Sequence, residues 1–232
     1  MINKFKLLTA TAVLAFLTAC GGGGGGGGGA TTTVASTNAF DVSSGYRRLV
    51  STGFQKTFTL SGSCSGSATN TDAPATTPAN FDGTNGFSAV SVITGSYTNC
   101  TPASFSSTSI KYYDTNYIPI GEFYTSHYIL YSSKPILPSS ARIGDAGIVA
   151  SANIYTDSTK SVKNGKTETS YVIEADTVTT AILNLITKSY TEYGILTSTE
   201  QDRYRVSADG TLTFLSFDLQ QSGTSTLRLI GN

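Results

Sequence analysis

Short segments in which β-branched or aromatic residues alternate with polar ones recur along the chain from Phe54 to Leu219, separated by brief polar breaks. Successive side chains of a strand point to opposite faces, so a period of two marks a half-buried strand and is incompatible with the apolar stripe of a helix. Phe54, Phe58 and Leu60 share one face; Phe87, Ala89 and Val92-Ile93 begin a further strand. Ile110-Tyr112, Phe123 and Tyr128-Ile129 continue the pattern. Composition agrees, since Thr, Ser, Tyr, Val, Ile and Phe are abundant and charged residues make up only 13%. These residue types fit a pleated surface.

Turn chemistry sets the connections. Ile148 to Tyr155 and Thr169 to Asp176 flank Lys163-Asn164-Gly165-Lys166, and Asn-Gly predicts a tight hairpin because both central positions favour positive φ. By the same reasoning, Tyr204 to Ala208 and Thr211 to Leu219 meet at Asp209-Gly210, and Asp82-Gly83-Thr84-Asn85-Gly86 reads as a turn. The segment from Val178 to Tyr193 carries both periods. Ile182, Leu185, Ile186, Ser189, Tyr190 and Tyr193 have helical spacing, but the Thr and Ile content assigns it to a strand, since β-branched residues lose rotamer freedom in helices. The expected fold is all-β, an antiparallel meander of roughly ten strands forming a half-open barrel or a sandwich.

Ahead of this body lies a different kind of sequence. Lys4 and Lys6 precede an uncharged stretch from Leu7 to Leu17, the layout of a secretory signal. As a helix it would cover roughly 16 Å, about half of a hydrocarbon core of roughly 30 Å, too short for a membrane span. The residues Leu17-Thr18-Ala19-Cys20 that end it resemble the lipobox of bacterial lipoproteins. The resemblance implies cleavage before Cys20, diacylglycerol on its thiol and acylation of its new amino group. Buried acyl chains contribute about 0.8 kcal/mol per methylene, so several chains on one residue anchor stably. Gly21, in place of the Asp that retains such proteins in the inner membrane of enterobacteria, points to the outer membrane. The run Gly21 to Gly29 that follows has no strand before it and no Lys with Ser/Thr after it, so it reads as a flexible tether rather than a phosphate loop. The domain order is then 1–19 signal peptide, 20–39 lipidated Cys20 and linker, and 40–232 a single β domain.

Cys64 and Cys100 are the two remaining cysteines. An even pair in an oxidising compartment predicts a disulfide, enclosing the polar segment Thr69 to Pro78. In the loop-entropy view, closing about 35 residues contributes roughly 4 kcal/mol. The rival reading takes Gly62-Ser63-Cys64-Ser65-Gly66 as a nucleophile elbow with His127, the sole histidine, as base. That elbow belongs on a strand-to-helix turn, and the helical half is missing from the pattern. His127, alternating with aromatic neighbours, is expected at a strand surface or edge.

No cofactor or metal site is expected. Asp114-Thr115-Asn116 opens like a calcium loop, but Ile118 stands where an oxygen ligand is needed. Removing Lys4 and Lys6 leaves 13 basic residues against 15 acidic ones, which gives nucleic acid no basic face. Thirteen tyrosines suit strands as readily as a sugar platform, and Trp is absent. Lys160, Lys163 and Lys166 cluster at the tip of the expected Asn-Gly hairpin, a place for contact with anionic lipid heads or, more simply, for solvated lysines that discourage edge pairing. Two function classes follow. The first is a lipid-anchored, non-catalytic envelope module, held to membrane lipid through Cys20 and contacting an envelope protein, a glycan or a lipid ligand. The alternative is an envelope hydrolase with dispersed catalytic residues. An apolar cavity would favour lipid carriage; a flat, solid sandwich would favour protein contact.

Overall fold

In the computed structural model, residues 35–124, 127–222 and 226–231 are described. Leu17 to Cys20 and the glycine run lie outside them.

The order is α1 (Val42–Thr52), β1 (Phe54–Gly62), β2 (Gly66–Asp72), β3 (Thr77–Phe81), β4 (Thr84–Tyr97), β5 (Ser104–Asp114), β6 (Pro119–Tyr124), β7 (His127–Tyr131), β8 (Ala146–Tyr155), β9 (Lys163–Ala175), β10 (Thr180–Thr191), β11 (Leu196–Ser207), β12 (Leu212–Gln221) and β13 (Thr226–Gly231). Strands β4 to β13 pair with their sequence neighbours as an antiparallel meander, β13 pairs with β1, and β1 with β2. The sheet closes where β2 pairs with β4, from Gly66 opposite Tyr97 to Asp72 opposite Ser91. The result is a closed antiparallel barrel of 12 strands with β3 as one extra strand on β4. The fold is thus a barrel, as one of the two expected alternatives had it, but closed rather than half-open, and with 13 strands among the described residues in place of roughly ten.

Barrel width explains the interior. About eight strands enclose a space that side chains just fill, and the diameter grows with strand number. A barrel of 12 strands therefore has space to fill. One end is closed by α1, whose Asp41 cap accepts a hydrogen bond from the Ser44 amide at 3.0 Å. Burial of Val42 and Gly45, with Tyr46 and Leu49 packed on the same core, puts the helix's apolar face onto Phe40, Ala141, Ile173, Leu183, Val206 and Leu212. A second cluster, around Phe58, Leu60, Ala68, Phe214 and Leu229, fills the part of the barrel beside β1, β2, β12 and β13. The interior facing β5 to β11 is left less filled.

Cys64 and Cys100 form the expected disulfide, with Cα atoms 5.7 Å apart. It joins the β1–β2 and β4–β5 turns at the end of the barrel opposite α1. The segment Thr69 to Pro78, expected to be a polar insert with little core, instead contributes to β2 and β3 and buries Ala75 completely. The expected strand over Val178 to Tyr193 is β10, and the Asp209-Gly210 hairpin joins β11 to β12, with the Gly210 amide donating to the Ser207 carbonyl.

The Asn164-Gly165 hairpin is not formed. Both residues lie inside β9, with Gly165 opposite Ile154 on one side and Thr191 on the other. A Cβ on Gly165 would sit 2.1 Å from the Tyr190 carbonyl oxygen, so this glycine permits a close strand approach rather than a turn. The chain reverses earlier, at 156–162, where the Asp157 side chain accepts from the Thr159 amide and Lys160 adopts a positive φ. The three lysines consequently do not share a tip. Lys160 pairs with Asp82 at 2.5 Å, and Lys166, on the outer wall, pairs with Glu168 at 2.6 Å.

Candidate binding cavity in the barrel lumen

Cross-strand register fixes which side chains enter the lumen. Ala181, Leu183, Leu185, Thr187 and Ser189 of β10 face inward, opposite Val206, Tyr204, Asp202, Glu200 and Ser198 of β11. The acidic residues thus share a face with the buried Val206. Across the lumen Lys111 of β5 stands opposite Glu122 of β6, and Glu122 opposite Ile129 of β7. The apolar-in, polar-out rule is reversed here: Ile110, Tyr112 and Phe123 point outward while Lys111 and Glu122 point in. Part of that outer surface is shielded by Phe81, which stacks on Tyr112 at 4.3 Å and on Tyr128 at 4.7 Å.

These inward groups line a cavity of about 860 Å3 extending from Tyr46 and Arg47 of α1 to His127 and Ser189 near the other end. Its size lies within the range of about 300 to 1,000 Å3 common for small-molecule sites. One wall carries hydroxyls, including Thr169 and Thr187, whose Oγ1 atoms are 3.0 Å apart. Another carries Tyr113, Tyr131 and the aliphatic Ile129 and Ile154. Tyr46 from the helix and Tyr204 from β11 complete a group of four tyrosines. Burial holds the Tyr46, Tyr113 and Tyr204 phenols well above their ordinary value, and pushes that of Tyr131 up to about 12.

Charge is unevenly satisfied in this space. Lys111 Nζ donates to Asp72 Oδ2 at 2.8 Å, and Asp72 also accepts from the Ser91 hydroxyl. Burial alone would lower the Lys111 value, but Asp72 and Glu122 hold it above the ordinary range. Glu200 and Asp202 lie two residues apart on one strand face, close enough for each to affect the other's titration. Desolvation raises both carboxyls, and for Asp202 the neighbouring Glu200 raises it further. Two like charges that close cannot both ionise cheaply, so the pair retains a proton well above the ordinary carboxylate range. Arg47 and Lys134 are exposed at the helix end, and Lys134 is paired with Asp114 at 3.1 Å.

His127 is not a surface or edge residue as expected: it is half-buried on the lumenal side, stacked against Tyr124 with ring centroids 6.4 Å apart. Cys64 is engaged in the disulfide, so its thiol cannot serve as the nucleophile of an elbow. Asp114 caps its own turn, accepting from the amides of Asn116 and Ile118. Among the described residues no group of three or more His, Cys, Asp or Glu is arranged to hold a metal ion. Glu200, Asp202, Lys111 and Glu122 were not anticipated from sequence. The alternation Glu200-x-Asp202-x-Tyr204-x-Val206 could have revealed the first two, since it sets two carboxyls on the face of an apolar residue.

Comparison of the chain with protein-family models, with curated proteins and with solved structures gives no match.

Proposed function

We propose that the protein is a lipid-anchored binding module of the bacterial envelope, held by Cys20, that takes a small polar ligand into its barrel and acts without covalent or acid–base catalysis. The observation that carries this reading is the cavity of about 860 Å3 inside the barrel, where a largely aromatic and aliphatic lining carries hydroxyls and the ionisable Lys111, Glu122, Glu200 and Asp202. An acyl chain in this space would leave Glu122, Glu200 and Asp202 against hydrocarbon, at a cost of several kcal/mol per polar group. The ligand therefore carries polar groups to meet these side chains, and carriage of a plain acyl chain is disfavoured. Attachment through Cys20, rather than insertion of the barrel, is supported by the outer wall. There Asn184 donates to Glu174 at 2.7 Å and to Gln201 at 3.0 Å, while Arg203 and Arg228 both engage Asp218. A barrel inserted in a membrane presents an apolar band there instead.

The test is a thermal-shift survey of the full chain, purified in detergent, against small cationic, neutral and anionic compounds. A ligand that binds only the folded state raises the unfolding midpoint with concentration. At least one class is expected to do so in the native sequence and to lose the effect in Thr187→Trp, which fills the lumen from β10. No stabilisation by any class, or equal stabilisation of the filled variant, would overturn the reading.

A second reading has one observation in its favour: two carboxyls sharing a proton, Glu200 and Asp202, are also a device for acid–base hydrolysis. Under it, a bound compound would be turned over and Asp202→Asn would bind without turnover.

A further inference from the structure

Resting on the lumenal binding reading, we infer that the ligand is a small organic cation bearing one or more amino or guanidinium groups, held between the Glu200–Asp202 pair and the tyrosines of the lumen. Three features combine. The cavity gives room, its mid-height carries more carboxyls than cations, and aromatic faces stand beside them. Lys111, the lysine at that height, is already engaged by Asp72 at 2.8 Å and faces Glu122 as well. Arg47 and Lys134 lie at the exposed helix end rather than beside the pair. A cation placed next to Glu200 and Asp202 adds counter-charge beyond that of Lys111, which Asp72 and Glu122 share, and charge-assisted hydrogen bonds to carboxylates are the stronger kind. Tyrosine rings within about 6 Å of an ammonium or guanidinium add cation–π attraction, which grows when the site is desolvated. An anion would meet the opposite balance.

Proton linkage follows from the same geometry. In the empty lumen the pair keeps a proton; the incoming cation favours the ionised form, so that proton passes to solvent as the ion pair forms. The groups facing the pair are Lys111 from β5, Glu122 from β6, Tyr131 from β7, Tyr204 of the same strand and, at longer range, Asp72 from β2, with Tyr46 of α1 behind Tyr204. With its carboxyl values raised, affinity for a cation should strengthen as pH rises through the range in which the pair gives up its proton.

The experiment uses the full chain in detergent with spermidine as the polycationic probe, choline as a quaternary ammonium, sorbitol as the neutral control and citrate as the anionic one. Titration calorimetry in buffers of different ionisation enthalpy should show that spermidine or choline binds with release of protons and more tightly at pH 8 than at pH 5.5. Asp202→Asn with Glu200→Gln should weaken binding by roughly tenfold or more and abolish the proton release, as expected when a buried charge partner is removed. Should that variant fail to fold, the buffer dependence measured on the native sequence decides alone. Binding of sorbitol or citrate without the cations, blocked by Thr187→Trp, would overturn the cationic assignment while leaving the lumenal site in place. Cation binding that releases no proton, or that survives Thr187→Trp, would overturn it too. No binding by any probe class in either the calorimetric or the thermal experiment would count against both readings.

Discussion

Glu200 and Asp202 illustrate how a single pair of side chains couples stability to function. Their folded-state values are raised above those of an unfolded chain, so the native protein binds more protons than the unfolded one over the intervening pH range. The stability they contribute is complete below about pH 4, where carboxyls are protonated in both states, and is lost as pH rises through the raised values. Asp176 works in the opposite sense. Its value is lowered by the hydrogen bond from Arg205, so its contribution is present above the unfolded value and lost in acid. Urea unfolding from pH 4 to pH 8 should therefore show the native sequence losing stability relative to the Glu200→Gln, Asp202→Asn variant as pH rises. A difference between the two that is flat, or that grows in favour of the native sequence with pH, would refute the assignment of a retained proton.

At the scale of elements, most strands were legible in the alternation, because a wall with one apolar face writes that face into the sequence every second residue. Phe54, Phe58 and Leu60 identified β1 in this way. β5 and β6 were legible as strands but not in orientation, since their inward residues include Lys111 and Glu122, and only register around a closed barrel reveals that polarity. The Asn164-Gly165 dipeptide misled because a glycine demanded by close strand contact looks the same in sequence as one demanded by a turn. The helix went unread although Val42, Gly45, Tyr46 and Leu49 follow helical spacing, since a single 11-residue element carries little weight beside so many strands. Its seating depends on Gly45, where an added Cβ would lie 2.0 Å from the Gly210 carbonyl oxygen. Gly45→Ala should accordingly destabilise the fold by about 1 to 3 kcal/mol in denaturant unfolding, the usual range for overpacking. Ser44→Ala, on the exposed side of the same helix, should stay within about 0.5 kcal/mol. Equal effects at the two positions would mean that α1 is not packed against the β11–β12 turn.

For the whole molecule, closure of the sheet by β2 on β4 creates the space, α1 closes one end, and the apolar cluster beside β12 and β13 fills part of it. The sequence predicted the all-β class and the disulfide that ties two turns at the far end, but not a lumen holding ionisable groups, because enclosure is a property of the closed barrel and of no single segment. Palmitate labelling of the expressed chain should be lost in Cys20→Ser, with the uncleaved form accumulating; equal labelling of both would remove the lipoprotein reading. A lumenal position for the ligand is read out by NMR of the full chain carrying 13C-labelled tyrosine rings. On saturation with a bound compound, the resonances of Tyr46, Tyr113, Tyr131 and Tyr204 should shift, while those of Tyr128 and Tyr190, which stack on Phe81 and Lys166 outside the wall, should hold their positions. Shifts confined to Tyr128 and Tyr190 would place the ligand on the outer surface and rule out a site in the lumen.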